Sequence, residues 1–281
     1  MNELQALLLG VVQGLTEFLP ISSSGHLILV PWVLDFTYLE QHPDFNKTFD
    51  VALHLGTLVA VVTYFRHDLM RYARGVLRSV HRRSVEGDDE RLGWLIVIAT
   101  VPAAAIGAAA ESTIEDKLGE PWQIAILLAV FGILLGLADR LPERRPMEGL
   151  NWRSALAIGF AQAVALAPGA SRSGVTITAG RALGLTREAA ARFSFLMLAP
   201  ITFGAAFFKG LDVVTNGLPP GSFGPFVVGI CAAAVSGFAA IWWMLRYLQT
   251  HSYDIFVWYR LIVAGLILLL IATGLEPATF N

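Results

Sequence analysis

The chain has 281 residues, of which 55% are hydrophobic and only 15% are charged, and its mean hydropathy is +0.61. A soluble domain of this length cannot cover so much apolar surface, so the composition predicts a polytopic membrane protein. The formal net charge of −2 gives no basic excess, and we expect no nucleic-acid partner. The single cysteine, Cys231, excludes an internal disulfide and a cysteine-based metal cluster.

The first apolar stretch is too short to cross a bilayer. Residues 4–18 are apolar, Pro20 interrupts them, and the apolar pattern resumes over 26–36. Neither piece reaches the ~20 residues that a spanning helix needs, so we predict a re-entrant helix–loop–helix hairpin over 4–36. The stretch has no basic start and no small-residue cleavage site, so we do not expect a removable signal peptide.

Three crossings are predicted to follow, over 49–65, 92–110 and 121–138. Arginines are concentrated in two connecting segments, 66–91 and 140–153, and the positive-inside rule places both basic loops in the cytoplasm. The connection between the second and third crossings is acidic, which fits an external loop.

The second half repeats this plan. A hairpin is predicted over 152–183, followed by crossings near 190–208, 223–248 and 254–272. We therefore predict an all-α integral membrane protein with six transmembrane helices and two re-entrant hairpins. Because each half has an odd number of crossings, residues 1–145 and 146–281 should form an inverted-topology repeat within a single membrane domain, with both chain ends external.

Polar residues are concentrated in the two hairpins. The first hairpin carries Gln13, Glu17, Ser22, Ser23, Ser24, Gly25 and His26, and the second carries Gly169, Ser171, Arg172, Ser173 and Gly174. The motifs are related, since Gly10 and Gln13 recur 149 residues later as Gly159 and Gln162. An inverted repeat brings the two loops together near the bilayer midplane.

This meeting point has the composition of an anion site. In each hairpin a Ser-Gly turn precedes a helix, and helix N-termini present unpaired N–H groups and a partial positive charge. Arg172 adds an always-ionised fork that suits phosphate oxygens. An arginine at this depth costs at least ~2.5 to 3.5 kcal/mol unless it meets a counter-charge or a wet cavity.

Several chemical roles are open for the first hairpin. Gln13 and Glu17 lie four residues apart and face the same way on a helix. A carboxylate, a hydroxyl and an imidazole have the composition of a general base, a nucleophile and a proton shuttle. Alternatively, Glu17 holds a divalent cation, with Gln13 as a neutral oxygen ligand. His54, on an apolar helix, is interpreted as a core or rim histidine.

The two motifs resemble the integral-membrane undecaprenyl-diphosphate phosphatase family, which is also known for bacitracin resistance. The resemblance covers the whole chain and its two-hairpin layout. It implies removal of the terminal phosphate from undecaprenyl diphosphate, which regenerates the lipid carrier for peptidoglycan synthesis in the bacterial inner membrane. It also implies an active site that opens to the external face, and assistance by Mg²⁺ or Ca²⁺ without an organic cofactor.

Transferred position by position, the resemblance places the family's Glu/Gln-x-x-x-Glu element on Gln13 and Glu17, its loop serine on Ser23, its histidine on His26 and its phosphate-binding arginine on Arg172. We expect Ser23 to be the nucleophile on the terminal phosphorus, with Glu17 and His26 managing its proton. Arg172 and the turn formed by Ser171 and Ser173 would stabilise charge on the phosphoryl oxygens. The other hairpin residues would bind substrate: Gln13, Ser22, Ser24, Gly25, Gly169 and Gly174. A histidine nucleophile stays an alternative. Gln13 replaces the glutamate of many members, which weakens any scheme with two acidic metal ligands.

A transporter or flippase for a phosphorylated polyprenyl lipid is the alternative function, because inverted repeats with half-helices at the midplane are typical of transporters. The asymmetry between the loops favours an enzyme, since Glu17 and His26 correspond to the apolar Leu166 and Val175. We expect the lipid substrate and surrounding membrane lipids as partners, and a homodimer is an open alternative to a monomer. A second lipid-phosphatase superfamily also uses Ser-Gly-His, but its Lys-x6-Arg-Pro element is missing from this sequence.

Overall fold

The computed structural model describes residues 1–216 and 222–279, and the side chains within these ranges except at 37, 40, 111–116 and 208–216. All the longer elements of this part of the chain are α-helices. They are α1 (Glu3–Phe18), α2 (Ser23–Val33), α3 (Thr37–Gln41), α4 (Pro43–Tyr64), α5 (Arg66–Arg82), α6 (Asp88–Lys117), α7 (Pro121–Asp139), α8 (Trp152–Val164), α9 (Arg172–Ala182), α10 (Arg187–Asn216), α11 (Phe223–Tyr247) and α12 (Asp254–Ala272).

Five helices in the described residues are long and apolar enough to cross a bilayer: α6, α7, α10, α11 and α12. A sixth span results when α4 and α5, which are joined at a bend of 83°, are taken together. This agrees with the predicted all-α integral membrane protein.

The basic segment 66–91 is largely helical rather than a loop, which corrects the prediction. Helix α5 occupies Arg66–Arg82 and turns away from α4 at Phe65. It packs on α6 through the buried Tyr72, Gly75 and Ser79, whereas its arginines are exposed. Because α5 turns away from α4 at this bend, its arginines do not have to enter the bilayer with α4.

Two other boundaries differ from the prediction. The first crossing begins at Pro43 rather than at residue 49, because proline fits the first turn of a helix, where its missing N–H is not needed. Helix α6 continues to Lys117, so its backbone is helical through the acidic residues that were assigned to a loop. The side chains of 111–116 lie outside the described residues.

Both predicted hairpins are helix–loop–helix units of short helices. Helices α1 and α2 have 16 and 11 residues and contact one another, and α8 and α9 have 13 and 11 residues and do the same. All four are shorter than the ~20 residues of a spanning helix.

Each hairpin packs on a long helix of the other half. Helix α1 packs against α11, and α8 packs against α6. Glycines permit both close approaches: a Cβ added to Gly10 would lie 2.5 Å from the carbonyl oxygen of Gly229, and one added to Gly159 would lie 2.5 Å from that of Ala99. Gly10 and Gly159 are the pair that the internal repeat equates, so equivalent residues make equivalent contacts.

The far end of the second hairpin is fixed by a buried carboxylate. Asp139, at the end of α7, pairs with Arg187 at 2.7 Å and with Arg181 at 3.4 Å. It also accepts a hydrogen bond from the backbone N–H of Tyr253 at 3.0 Å. Because these partners come from α9, α10 and the start of α12, Asp139 ties four helices together.

Candidate active site

The two hairpin loops start their second helices in the same way. Ser22 has φ 78° and caps α2 by accepting the N–H of Gly25 at 3.3 Å, and Ser171 has φ 74° and caps α9 by accepting the N–H of Gly174 at 3.0 Å. Both serines adopt a left-handed backbone that is uncommon outside glycine. The two helices therefore begin with the same strained serine cap.

Helix α2 starts at Ser23, three residues earlier than predicted. Ser23 is therefore the first helical residue after its cap, as Arg172 is in α9. The N-terminal turn of a helix presents free N–H groups, so both side chains lie at a place that favours negative charge. The proposed nucleophile and the proposed phosphate-binding arginine thus occupy equivalent positions in the two hairpins.

The loops touch one another directly. The N–H of Gly169 donates to Ser22 Oγ at 3.1 Å, and Ser173 Oγ donates to the carbonyl oxygen of Leu19 at 3.0 Å. Ser171 Oγ lies 3.2 Å from Ser173 Oγ. These bonds form a polar seam between residues about 150 positions apart, and the predicted meeting of the two hairpins is therefore present in the fold.

Glu17 is the centre of the polar cluster at this seam. Its Oε2 accepts a hydrogen bond from Ser23 Oγ at 2.5 Å and one from Gln13 Nε2 at 3.2 Å. Its Oε1 accepts from Arg172 Nη2 at 3.0 Å. His54 Nε2 lies 3.8 Å from Oε2. A hydroxyl and a carboxylate at this distance have the geometry of a nucleophile and its general base.

This cluster lines a cavity of about 300 Å³. The cavity has a polar side, formed by α1, α2 and α9, and a largely apolar side formed by α10. Its lining residues are Glu17, Ser23, Ser24, Val51, His54, Ala165, Arg172, Ile201, Thr202, Ala205 and Ala206.

The predicted site residues separate into two groups. Glu17, Ser23, Ser24 and Arg172 line the cavity. The others lie behind it, largely buried, where they hold the loops in place; they are Gln13, Ser22, Gly25, His26, Gly169, Ser171, Ser173 and Gly174.

His26 is not in the cavity lining. Its Nδ1 lies 2.7 Å from the carbonyl oxygen of Ser22 and its Nε2 lies 2.7 Å from the hydroxyl of Tyr259 on α12. A carbonyl only accepts, so Nδ1 carries a proton, and the neutral ring accepts the tyrosine hydroxyl at Nε2. Both ring nitrogens are therefore engaged, and the placement favours a positioning role over the predicted proton transfer.

His54, interpreted from sequence as a core or rim histidine, is the imidazole that faces Glu17. Its side chain is 34% exposed, it lines the cavity, and its Nδ1 is fixed by the backbone carbonyl of Asp50 at 2.7 Å. Nε2 is thereby left to point at the carboxylate. The signal in the sequence was a histidine inside a predicted membrane crossing, where ionisable residues are rare.

Arg260 was also missed. It is completely buried in α12 and donates to carbonyl oxygens of both hairpin loops and of α7, at 3.0 Å to Pro20, Leu128, Gly169 and Ala170 and at 3.4 Å to Leu127. One planar guanidinium therefore bridges both loops to the bundle. The signal was a lone arginine in the apolar run 254–272.

The contacts of Glu17 and the orientation of Gln13 are unfavourable for the predicted Mg²⁺ or Ca²⁺ ligands. Glu17 already accepts from Ser23, Gln13 and the guanidinium of Arg172, and that positive charge opposes a cation at the same oxygens. Gln13 turns its amide nitrogen, not its oxygen, toward Glu17. Within the described residues no group of three His, Cys, Asp or Glu side chains could hold a metal.

The chain was compared with known proteins. A family model described as bacitracin resistance protein BacA matches residues 6–266. An undecaprenyl-diphosphatase of Pelobacter propionicus is 47% identical over 278 residues, covering 98% of this chain and 100% of the relative. The undecaprenyl-diphosphatases of Geobacter sulfurreducens and Rubrobacter xylanophilus are 45% and 47% identical, covering 95% and 94% of this chain and 98% and 96% of the relatives. The chain belongs to the bacitracin resistance protein BacA family.

Proposed function

We propose that the protein hydrolyses undecaprenyl diphosphate to undecaprenyl phosphate and inorganic phosphate. This reaction recycles the lipid carrier of peptidoglycan synthesis and so confers bacitracin resistance. The observation that carries the proposal is the 2.5 Å hydrogen bond from Ser23 Oγ to Glu17, in a cavity that Arg172 also lines. The identity of the substrate is inferred from the relatives, which are named undecaprenyl-diphosphatases.

Ser23 and Glu17 perform the chemistry in two steps. The Ser23 hydroxyl proton passes to Glu17 while Oγ attacks the terminal phosphorus, and the bond to the bridging oxygen breaks to release undecaprenyl phosphate. The proton then passes from Glu17 to water in the cavity. In the second step Glu17 takes a proton from the attacking water and returns it to Ser23 Oγ as that oxygen leaves phosphorus, which releases inorganic phosphate and restores the carboxylate.

Arg172 has two successive partners in this mechanism. Without substrate its guanidinium donates to Glu17 at 3.0 Å and to the carbonyl oxygen of Ser194 at 3.2 Å. A terminal phosphate beside Ser23 competes for the same guanidinium, which binds phosphate oxygens in a fork. The carboxylate then loses a cationic partner and becomes a stronger base at the moment when the nucleophile needs one. The N-terminal turns of α2 and α9 complete the stabilisation of charge.

The observed asymmetry supports an enzyme rather than a flippase. The first hairpin supplies the hydroxyl and carboxylate, and the second supplies the arginine. At the position equivalent to Glu17 the second hairpin has Leu166, so Gln162 is left buried and neither of its side-chain polar atoms has a partner in the described part of the chain. Two nearly equivalent loops would suit translocation better.

The helix pairing supports the proposed inverted repeat of 1–145 and 146–281. Helix α4 packs on α11 as α10 packs on α6, and α1 packs on α11 as α8 packs on α6. Exchanging these helices for their equivalents in the other half reproduces both of these pairings. A two-fold relation between the halves generates that exchange.

A second cavity supports an active site that opens outward. This vestibule, of about 700 Å³, is lined by residues that include Leu27, Asp35, Lys47, Asp50 and Lys117. It begins next to the residues of α2 and α4 that line the catalytic cavity, since Asp50 precedes Val51 and Leu27 follows Ser24 by one helical turn. It lies at the N-terminal end of α4, whereas the basic helix α5 follows the C-terminal end. If α5 is cytoplasmic, as the positive-inside rule predicts, the vestibule is external.

The test is phosphate release from undecaprenyl diphosphate by purified protein in detergent. We expect Ser23→Ala, Glu17→Gln and Arg172→Lys each to lower kcat by at least about a hundredfold, because each removes the nucleophile, its base or the charge fork. Ser252→Ala, outside the cavity, is the control. A folded wild type that releases no phosphate would refute the proposal, and lipid flipping in liposomes would then be measured.

The nucleophile is identified by trapping the intermediate. Substrate labelled at the terminal phosphate is quenched in acid during turnover, and phosphoserine survives this treatment whereas phosphohistidine does not. We expect an acid-stable label that is absent from Ser23→Ala and present in His26→Gln. An acid-labile label lost in His26→Gln would instead support the histidine nucleophile.

A further inference from the structure

We propose that the polyprenyl chain of the substrate leaves the catalytic cavity along α10 and enters the bilayer past Ala205, so that this alanine determines whether a long chain can be accommodated. The inference rests on the proposed function and adds to it the route of the lipid. Undecaprenyl diphosphate joins a highly charged group to a long hydrocarbon. A site for it therefore needs a polar opening for phosphate and an apolar opening for the polyprenyl chain.

The cavity is too small for the whole lipid. A volume of about 300 Å³ is at the lower end of the range for ligand pockets. It accommodates the diphosphate and the start of the chain. The remaining isoprene units must therefore lie outside the cavity, in contact with bilayer hydrocarbon.

The vestibule is a less favourable route for hydrocarbon. Apolar residues such as Leu27 and Trp32 form part of its wall, but charged residues from four separate parts of the chain line it as well: Asp35, Lys47, Asp50, Lys117 and Glu276. An isoprenoid placed there would displace water from charged side chains, which is costly. The vestibule suits the hydrophilic product, inorganic phosphate.

The α10 wall has the opposite character. Its cavity-lining residues are Ile201, Thr202, Ala205 and Ala206, spaced one helical turn apart in two rows on one face. Thr202 and Ala206 are buried, whereas Ala205 lines the cavity and is also exposed on the molecular surface. The cavity therefore reaches the outside of the bundle at a side chain of minimal size.

The position of Arg172 fits this direction. It bonds to Glu17 on one side and to the backbone of α10, at Ser194, on the other. A terminal phosphate held between Ser23 and Arg172 has α10 beside it, so the chain that follows the bridging phosphate meets the apolar wall.

The test introduces bulk at the exit. Ala205→Trp is compared with Ala239→Trp, a matched control at an exposed alanine of α11 outside the cavity. Two quantities are measured: KM for undecaprenyl diphosphate, and the inhibition constant of inorganic pyrophosphate, which presents the headgroup without a chain. Ala205→Leu gives an intermediate size.

We expect Ala205→Trp to raise KM by at least about tenfold and Ala205→Leu by less, with the pyrophosphate inhibition constant within about threefold of wild type. Ala239→Trp should change neither quantity. An unchanged KM in Ala205→Trp would overturn the route, and so would an equal rise in both constants, which would indicate a collapsed headgroup site. Failure of the proposed function is distinct, because wild type itself would then release no phosphate.

Discussion

Replacing Arg260 by methionine tests how the two hairpin loops are held. Methionine fills similar space without donors, so the carbonyl oxygens of Pro20, Leu128, Gly169 and Ala170, each 3.0 Å from the guanidinium, lose that partner. A buried acceptor left without a partner costs about 1 kcal/mol or more, which for four acceptors gives about 4 kcal/mol. The variant no longer bears the free-energy cost of burying the arginine, which offsets part of this loss. We therefore expect the free energy of unfolding to fall by about 2 to 4 kcal/mol.

The measurement is residual monodisperse protein after heating in detergent, read by size exclusion, together with phosphate release. For a chain of this length the loss corresponds to a fall in Tm of roughly 5 to 15 °C. Activity should fall more than stability, since Pro20 and Gly169 belong to the loops that carry Ser23 and Arg172. Arg260→Lys should recover only part of both, because an ammonium lacks the planar fork that reaches several carbonyls at once.

The control is Arg246→Met, which removes an exposed arginine of α11 that stacks over Trp242. It should leave Tm and phosphate release nearly unchanged. If Arg260→Met has the same Tm and activity as this control, the guanidinium does not organise the loops and the bridging role is wrong.

Two further substitutions test the packing of the second hairpin. Gln162→Met should raise Tm by a few degrees, about 1 kcal/mol, because neither polar atom of this buried carboxamide has a partner among the described residues; a lower Tm would contradict this. Gly159→Ala should lower stability by about 1 to 3 kcal/mol, since its Cβ would lie 2.5 Å from the carbonyl oxygen of Ala99. Gly265→Ala, with open space around it, is the control and should not lower Tm.

Much of the architecture could be predicted from local properties of the chain. The apolar runs at 4–18 and 26–36 are too short to span, and the Ser-Gly turns mark helix starts, so both hairpins could be located without coordinates. The start of α2 was placed three residues late because Ser22 caps the helix from a left-handed conformation, which residue preferences disfavour. The helical character of 66–82 was not predicted because its many arginines outweigh the narrow buried stripe of Tyr72, Gly75 and Ser79.

The residues of the proposed catalytic pair, Ser23 and Glu17, were also predicted from sequence, whereas the histidine that faces Glu17 was not. His26 is three residues from Ser23 in the chain, yet its ring is turned to Tyr259, and His54, 37 residues from Glu17, faces the carboxylate. Side-chain direction changes by about 100° per helical residue, so proximity along the chain does not imply a shared cavity.

The sequence by itself determined the membrane class, the two polar hairpins and the Ser, Glu and Arg residues of the proposed site, because hydropathy, helix capping and residue type are local properties. Only the tertiary structure decided that His54 faces Glu17, that Arg260 bridges both loops, and that one cavity wall is apolar. Those features depend on how the helices rotate and pack, and that packing is set by contacts such as Gly10 on Gly229 and Gly159 on Ala99, between residues distant in the chain.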